Sequence, residues 1–589
     1  MTELSLYTKL IDSAYKLFTE RCDKLPLYHG NDIPEYLPPA EGTDLEHISF
    51  RRADISKQAV SQLITELKND WKIHLSGFGM MLDGKLVCEY YPAYNTPVCR
   101  HVSFSVSKSV VAMAVGIAEE QGLLNLEEKL CDIFPSHNGI FLKHGMKNVT
   151  IRHLLTMTAG VTFDELSSFF SPDWCRSYMG SDLGFEPGSD FAYNSLNTYM
   201  LVAAITKKSG KRFIDYINEF LFAPMGIHDI TWDKCPQGIE KGGWGMKLSI
   251  PDMLKLGQLY LNNGIWTVNG VKCSLVPEKW VKESLVCHVP IRDDKLVRGY
   301  GYHIWLLKNG AFLYNGVFGQ NVYVCPDRKL IIATTASAYA LFPDENLTGC
   351  LCRFSGNDAN FKRDTIKNTM KRNFFSRNND NLSVQFYASE KAAFSNTKKQ
   401  VSQSECQKLR YLAPYFGKTY CFDEYASALV PFSTQIFYSN FMSGIEQIMF
   451  DREREMPVMH VTDDGVTYHI LLGFGRGVYR QQTLCVNGKE YRISTHCILS
   501  FTEERRLTLE VQIFFPEEIA DKKLLFFFDG DELEVQASET PDILRFSKLF
   551  IGEKKMLRTR KMEQINIPNY IKYKLNRLVA TKVIGHMIE

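Results

Sequence analysis

The stretch Val106 to Ala118, VSKSVVAMAVGIA, constrains this chain more than any other. Beyond Lys108 and two serines it is small and apolar on every side, so a helix built from it has no face suited to water and must lie inside a core. Its apolar part, Val110–Ala118, is the longest such run in the 589 residues, well short of the ~18 that a membrane-crossing helix requires. The sequence therefore predicts a globular fold wrapped around a central helix, and no membrane span.

The surrounding pattern supplies the wrapping. Between Ile55 and Asn69 the residues Ala59, Leu63, Ile64 and Leu67 keep helical spacing. GFGMMLDGKLVCEYY follows, two strand-like runs joined at Asp83-Gly84, a dipeptide suited to a tight hairpin. After the apolar helix come polar and helical stretches to about Gly245 and a helix at PDMLKLGQLYLNNG. From Tyr300 a strand-rich run begins: YGYHIWLL, GAFLYNG, QNVYVCPD and KLIIATTAS. Helices thus sit between early and late strands that can join one antiparallel sheet, an α+β domain.

Between Phe354 and Gln407 the composition turns to Asn, Ser, Lys and Arg, as in RNNDNLS and SNTKKQVSQSE, which reads as a polar linker or insertion. From Leu409 strand patterns dominate again (QIFYSNF, TYHILLGF, LTLEVQIFF, LLFFF), predicting a separate all-β domain of barrel-like or sandwich character. The expected organisation is a helical leader over 1–54, an α+β domain over 55–350, a linker over 351–408 and a C-terminal β domain over 409–589.

Composition narrows the partners. Lysine and arginine number 68 against 67 acidic residues, so no global field draws the chain to nucleic acid or anionic lipid. The N-terminal segment MTELSLYTKLIDSAYKLFTERC is broken by Glu3, Lys9 and Asp12 and reads as an amphipathic helix, not a secretory signal. The fifteen cysteines, an odd number scattered from Cys22 to Cys497, suggest reduced thiols and a cytoplasmic setting. Cys350 and Cys352 are the one close pair, and without CxxC or HExxH no metal site is expected. GFGRG at Gly473–Gly477 lacks the GxGxxG spacing and a following helix, so it reads as a bent strand or turn.

The chemistry gathers at the head of the apolar helix. A lysine there is electrostatically misplaced, because the helix dipole is positive at that end and burial disfavours its charge. Ser105 and Lys108 are three apart and share one helix face. A serine hydroxyl becomes a nucleophile when a base removes its proton, and an amine serves as that base once its pKa is lowered. The misplacement of Lys108 supplies the lowering. The alternative is that Ser103 or Ser105 caps the helix while Lys108 reaches out to water. The SxxK spacing alone does not decide, since Ser395–Lys398 matches it too.

Ser105-Val106-Ser107-Lys108 followed by VVAMAVGIAEEQGLLNLEEKLCDIFP resembles the active-site segment of the serine β-lactamase and penicillin-binding-protein superfamily. The resemblance is greatest to its class C-like branch, with carboxylesterases, D-aminopeptidases and nylon-oligomer hydrolases. VTIRHLLTMTAG, EPGSDFAYNSLNTYMLVAAI, GGWGMKLSIPDMLKLGQLYLNNG and NGVFGQNVYVCPDRKLII follow in the family's order, so the likeness covers roughly residues 55 to 345. It implies a β-lactamase/transpeptidase-like fold, an antiparallel sheet with helices. The family's second motif falls on Tyr193-Asn194-Ser195, which implies Tyr193 as the proton-transfer partner of Lys108 and Ser195 as the residue orienting that lysine, with Asn197 as a rival for the latter role. The third falls on Tyr314-Asn315-Gly316, implying substrate contacts there and an oxyanion hole from the backbone N–H groups of Ser105 and Val317. This third motif departs from the family, whose penicillin-recognising members carry a cation where Tyr314 stands. The resemblance thus implies a serine hydrolase, without cofactor or metal, acting on a small ester or amide with an uncharged or aromatic acyl part. Two alternatives are a penicillin-binding protein or β-lactamase, and a catalytically silent binding protein of the same fold. The oligomeric state is not implied.

Overall fold

The computed structural model describes residues 45–137, 144–361, 409–541 and 582–588, apart from 439, 454–455, 464 and 476–477. Most of the expected leader, 1–44, and the expected linker from 362 lie outside the described residues.

Helix α1 (Lys57–Asn69) begins where the Ser56 hydroxyl accepts from the Ala59 N–H, and it buries Val60, Leu63, Ile64 and Leu67. The expected hairpin follows as β1 (Leu75–Leu82) and β2 (Lys85–Tyr90), turning through Asp83 and Gly84, both at positive φ. A short strand β3 (His101–Val102) leads into the central helix α2 (Val106–Glu120). Helix α3 (Ser195–Ser209), strand β4 (Lys247–Leu248) and helix α4 (Ile250–Leu261) come next. The late strands are β5 (Val289–Pro290), β6 (Val297–Tyr300), β7 (Trp305–Leu307), β8 (Phe312–Gly316), β9 (Gln320–Cys325) and β10 (Leu330–Ala336). Early and late strands join one antiparallel sheet in the order β2-β1-β10-β9-β8-β7-β6-β5.

The alternation of the strands sorts side chains into two cores. Met81, Ile331 and Ala333 face the larger core with α2, α3 and α4, where every residue from Val106 to Ala118 is buried. Phe78, Met80, Leu330 and Ile332 face the smaller one, covered by α1 and by helix α5 (Leu347–Gly356) through Leu347, Leu351 and Phe354. Helix α5 crosses the expected domain boundary at residue 350, and Ser56 N–H donates to Asn360 O at 2.8 Å. The first domain therefore extends to at least Phe361.

The second domain is a ten-stranded antiparallel sheet. It runs as β11 (Thr419–Ala426), helix α6 (Phe432–Tyr438), β12 (Ile445–Glu453), β13 (Met456–Asp463), β14 (Val466–Leu471), β15 (Arg480–Val486), β16 (Lys489–Phe501), β17 (Leu507–Phe514), β18 (Asp521–Asp529), β19 (Glu532–Thr540) and β20 (Lys582–Ile588). The strand order is β14-β13-β12-β11-β20-β19-β18-β17-β16-β15. Its two edges approach one another, Leu471 N–H donating to the Gln482 side chain at 3.0 Å, so the sheet is nearly a closed barrel. Alternate residues such as Leu509, Val511 and Ile513 with Leu524, Phe526 and Phe528 fill its interior. Among the described residues no helix is long and apolar enough to cross a membrane.

Candidate active site

The approach to Ser105 is fixed by short, strained backbone. β3 pairs with β4, and Ser103 donates both its N–H and its hydroxyl to Met246 O, at 2.8 and 2.7 Å. Phe104 then takes φ of 46°, a left-handed conformation rare for a bulky residue, and turns the chain into α2. Ser105 stands at the head of that helix with no side-chain capping bond. The capping alternative therefore does not describe either serine.

Lys108 does not reach water. It is 1% exposed, and its Nζ lies 2.7 Å from Ser105 Oγ, 2.8 Å from Ser195 Oγ and 2.8 Å from Gly243 O. Burying an amine this deeply is costly unless its hydrogen bonds are satisfied, and these oxygens satisfy them. The same geometry suits both protonation states, since an ammonium donates to all three oxygens while an amine can turn its lone pair to the serine proton. The Tyr193 ring sits 4.7 Å from Nζ.

Helix α3 delivers Ser195. Asn194 caps it, accepting from Leu196 N–H at 2.8 Å and donating to Val161 O and Phe163 O, each at 3.0 Å. Ser195 N–H in turn donates to Glu165 Oε1 at 2.7 Å. Asn197, its rival, accepts instead from the Tyr178 hydroxyl at 2.8 Å. Gly243 closes the arrangement, because a Cβ there would lie 2.6 Å from Ser195 Cβ and 2.7 Å from Ser195 O. Any side chain at 243 would push α3 away from Lys108.

Strand β8 brings the third segment alongside. A Cβ on Gly316 would fall 2.3 Å from Ser103 O and 3.3 Å from Ser105 N, so only glycine lets the strand end abut the serine. Val317 follows, and Phe318 takes φ of 66°. Ser105 at the head of α2 and Val317 at the head of a single 3-10 turn both hold N–H groups that their helices leave unbonded. Asn315 donates to Asn321 Oδ1 at 2.8 Å. Tyr314 is fully buried, its ring 5.7 Å from that of Tyr260, and its hydroxyl has no hydrogen-bond partner. Burial, and secondarily Tyr260, hold that phenol well above its usual pKa. The structure thus places Tyr314 in the core under the sheet, while Ser105, Lys108, Tyr193, Ser195 and Gly316 come together.

Several neighbours carry no local motif. Glu165 and Gly243 lie about 30 and 48 residues from Ser195 in sequence and announce themselves only by contact. His303 is buried behind the lysine, its Nε2 3.0 Å from Thr198 Oγ1. Burial first, then the Lys108 charge, push its pKa well below the usual value, so it stays neutral. Aromatic rings gather beside Tyr193: Trp305 stacks on it at 5.9 Å, Phe342 meets it edge-on at 5.4 Å, and Trp305 and Phe342 lie 5.5 Å apart. Residues of metal-ligand type cluster elsewhere. Among the described residues Glu453, His460 and His469 bring ligand atoms within 4.8 Å of one another, on β12, β13 and β14 of the second domain. The thirteen described cysteines are free thiols.

Residues 78–346 match the family model described as Beta-lactamase. Penicillin-binding protein 4* of Bacillus subtilis (strain 168) is 29% identical over 242 residues, spanning 35% of this chain and 51% of that protein. The 6-aminohexanoate-dimer hydrolase of Paenarthrobacter ureafaciens is 21% identical over 291 residues, 44% of this chain and 72% of the enzyme. The solved octameric penicillin-binding protein homologue from Pyrococcus abyssi covers 81% of this chain and 98% of its own, with a TM-score of 0.41 and 15% identity. The β-lactamase-fold relatives include serine hydrolases and penicillin-binding proteins, and with the helix-and-sheet architecture around Ser105, residues 78–346 of this chain form a β-lactamase-like α+β domain.

Proposed function

We propose that this protein is a serine hydrolase that cleaves a small ester or amide through an acyl-enzyme on Ser105. The observation that carries the reading is the 2.7 Å contact between a buried lysine nitrogen and the Ser105 hydroxyl. Ser105 Oγ attacks the carbonyl carbon as its proton passes to Lys108, with Tyr193 beside it to relay the proton onward to the departing oxygen or nitrogen. The C–O or C–N bond breaks, leaving the acyl ester. Water then attacks that ester, giving up its proton through the same pair, and Ser105 leaves with a proton as the acid is released. The N–H groups of Ser105 and Val317 hold the developing oxyanion, each contributing about 3–4 kcal/mol to the transition state. Ser195 and Gly243 O keep the lysine aimed.

The substrate class follows from two features. Tyr314 lends no positive charge to the site and is buried away from it, which disfavours substrates bound by a carboxylate. The rings of Trp305 and Phe342 beside Tyr193 favour an apolar or aromatic group.

The test is intact-mass spectrometry after exposure to a fluorophosphonate probe. One adduct per chain is expected, absent in Ser105→Ala and strongly slowed in Lys108→Met. A folded wild-type protein that takes up no probe would overturn the reading in favour of a silent binding protein.

A further inference from the structure

The second domain touches the first at the two backbone segments that flank the proposed oxyanion donors. The contact is made by the loop Phe515–Ala520 between β17 and β18, in which Phe515, Ile519 and Ala520 are nearly inaccessible to water. On the Ser105 side, Val102 N–H donates to Glu517 O at 2.9 Å, and His101 Nδ1 donates to Pro516 O at 2.9 Å. These residues are β3, two positions before the strained Phe104. On the Val317 side, the Ser337 hydroxyl donates to Ile519 O at 2.5 Å. The segment beginning at Ser337 also holds the backbone of Phe318, through Ala338 N–H to Phe318 O and Phe318 N–H to Ala340 O, both 2.8 Å.

Phe104 and Phe318, the two left-handed residues next to Ser105 and Val317, complete the contact. Their rings meet edge-on at 5.5 Å, and Phe437 of α6 meets Phe104 at 5.3 Å. With Val102, Ile519 and Ala520 they form one apolar cluster to which both domains contribute. Such conformations persist only where the surroundings over-determine them, and here the surroundings include the second domain.

A polar clamp lies beside the cluster. Lys247, which pairs with Val102 across β3 and β4, places its Nζ 2.7 Å from Glu518 and 3.1 Å from Glu517. The Tyr438 hydroxyl donates to Glu518 at 2.9 Å. The lysine is mostly buried, so the pair is shielded from salt and its loss would strand a buried cation.

We propose that the C-terminal β domain is a working part of the active site: its loop Phe515–Ala520 sets the separation of the Ser105 and Val317 N–H groups, with Lys247, Glu517 and Glu518 as positioning residues. The proposal rests on the reading of Ser105 as the nucleophile. The loop touches no reacting atom; it acts by holding β3 and the Ser337–Ala340 segment against each other. A misplacement of one ångström at such a site can cost on the order of 10²-fold in rate.

Two full-length variants test this. One replaces Phe515–Ala520 by a two-residue Asn-Gly turn joining β17 to β18; the other is Glu517→Gln with Glu518→Gln. Each is compared with the wild type by hydrogen exchange of the segment from His101 to Ser105, by fluorophosphonate labelling rate, and by kcat and KM on an activated aryl ester. Faster exchange at Val102, slowed labelling and a fall in kcat with KM nearly unchanged are the expected results. Restoration of the rate when Lys247→Met is added to the Gln pair would also support it, since the stranded cation is then gone. Wild-type labelling and kcat in the loop replacement would overturn the proposal, as would unchanged exchange at Val102 in both variants. Failure of the wild type itself to label refutes the nucleophile and this proposal's catalytic role together, and the exchange data then report only whether the loop holds β3.

Discussion

The contest between Ser195 and Asn197 for the lysine can be settled by paired alanine variants. Ser195 Oγ is 2.8 Å from Lys108 Nζ, whereas Asn197 Oδ1 is taken by the Tyr178 hydroxyl. Hydrogen bonds to charged groups are worth about 1.5–3 kcal/mol, and each ~1.4 kcal/mol is a factor of ten in rate. Ser195→Ala should therefore slow acylation by roughly 10- to 150-fold. Asn197→Ala strands a buried tyrosine hydroxyl and should cost about 1–3 kcal/mol of stability, with the acylation rate of the folded protein unchanged. The assay is the second-order rate constant for fluorophosphonate labelling followed by intact mass, beside thermal melting of the same samples. If Asn197→Ala slows labelling and Ser195→Ala does not, the assignment of Ser195 as the lysine's anchor is wrong.

Tyr314→Phe deletes a buried hydroxyl that has no partner, so stability should rise by about 1 kcal/mol while labelling of Ser105 is retained; a large loss of labelling would put Tyr314 in the site. Burial pushes the Asp521 carboxyl up to about 7, against the opposing donation from Phe515 N–H. The folded chain then keeps a proton that the unfolded chain has lost by about pH 4, so stability declines as pH rises from about 4 to 7. Asp521→Asn keeps an oxygen for Phe515 and should flatten that decline, gaining at most about 4 kcal/mol over wild type at pH 8 relative to pH 4; parallel melting curves for the two proteins would contradict this. Dialysis against a chelator should leave labelling intact, because Glu453, His460 and His469 belong to strands β12–β14 of the second domain whereas Ser105 and Lys108 stand at the head of α2 in the first; a fall would tie a metal to the serine chemistry.

Local spacing carried much of the candidate site's geometry. The three-position step from Ser105 to Lys108 fixes one helix face, and a hairpin dipeptide at Asp83-Gly84 fixes a turn, because both effects act within a few residues. The late strand runs and the separate β domain were legible for the same reason, alternation being a local property. Tyr314 shows the limit. Its motif position is local, but the direction of its ring depends on Tyr260 of α4, 54 residues away in sequence. Glu165, Gly243 and the loop Phe515–Ala520 are further cases, each defined by a contact that closes only when distant segments have packed. The expected boundary at residue 350 fell inside α5 because the polar composition begins before the packing ends.

The pairing of β1 with β10 has a consequence for how the chain is made. About 250 residues separate the two strands, yet they are partners along nearly their whole length. At translation rates of about 5–20 residues per second, β1 waits roughly 12–50 s on the ribosome before its partner emerges. Through that interval the nascent chain presents an apolar edge with open hydrogen-bonding groups, a surface on which two chains of the same polysome can pair instead. The chain's hazard therefore lies in its birth, and slow initiation, cool growth or a chaperone that covers residues 75–90 should raise the yield of folded protein more than any stabilisation of the finished fold.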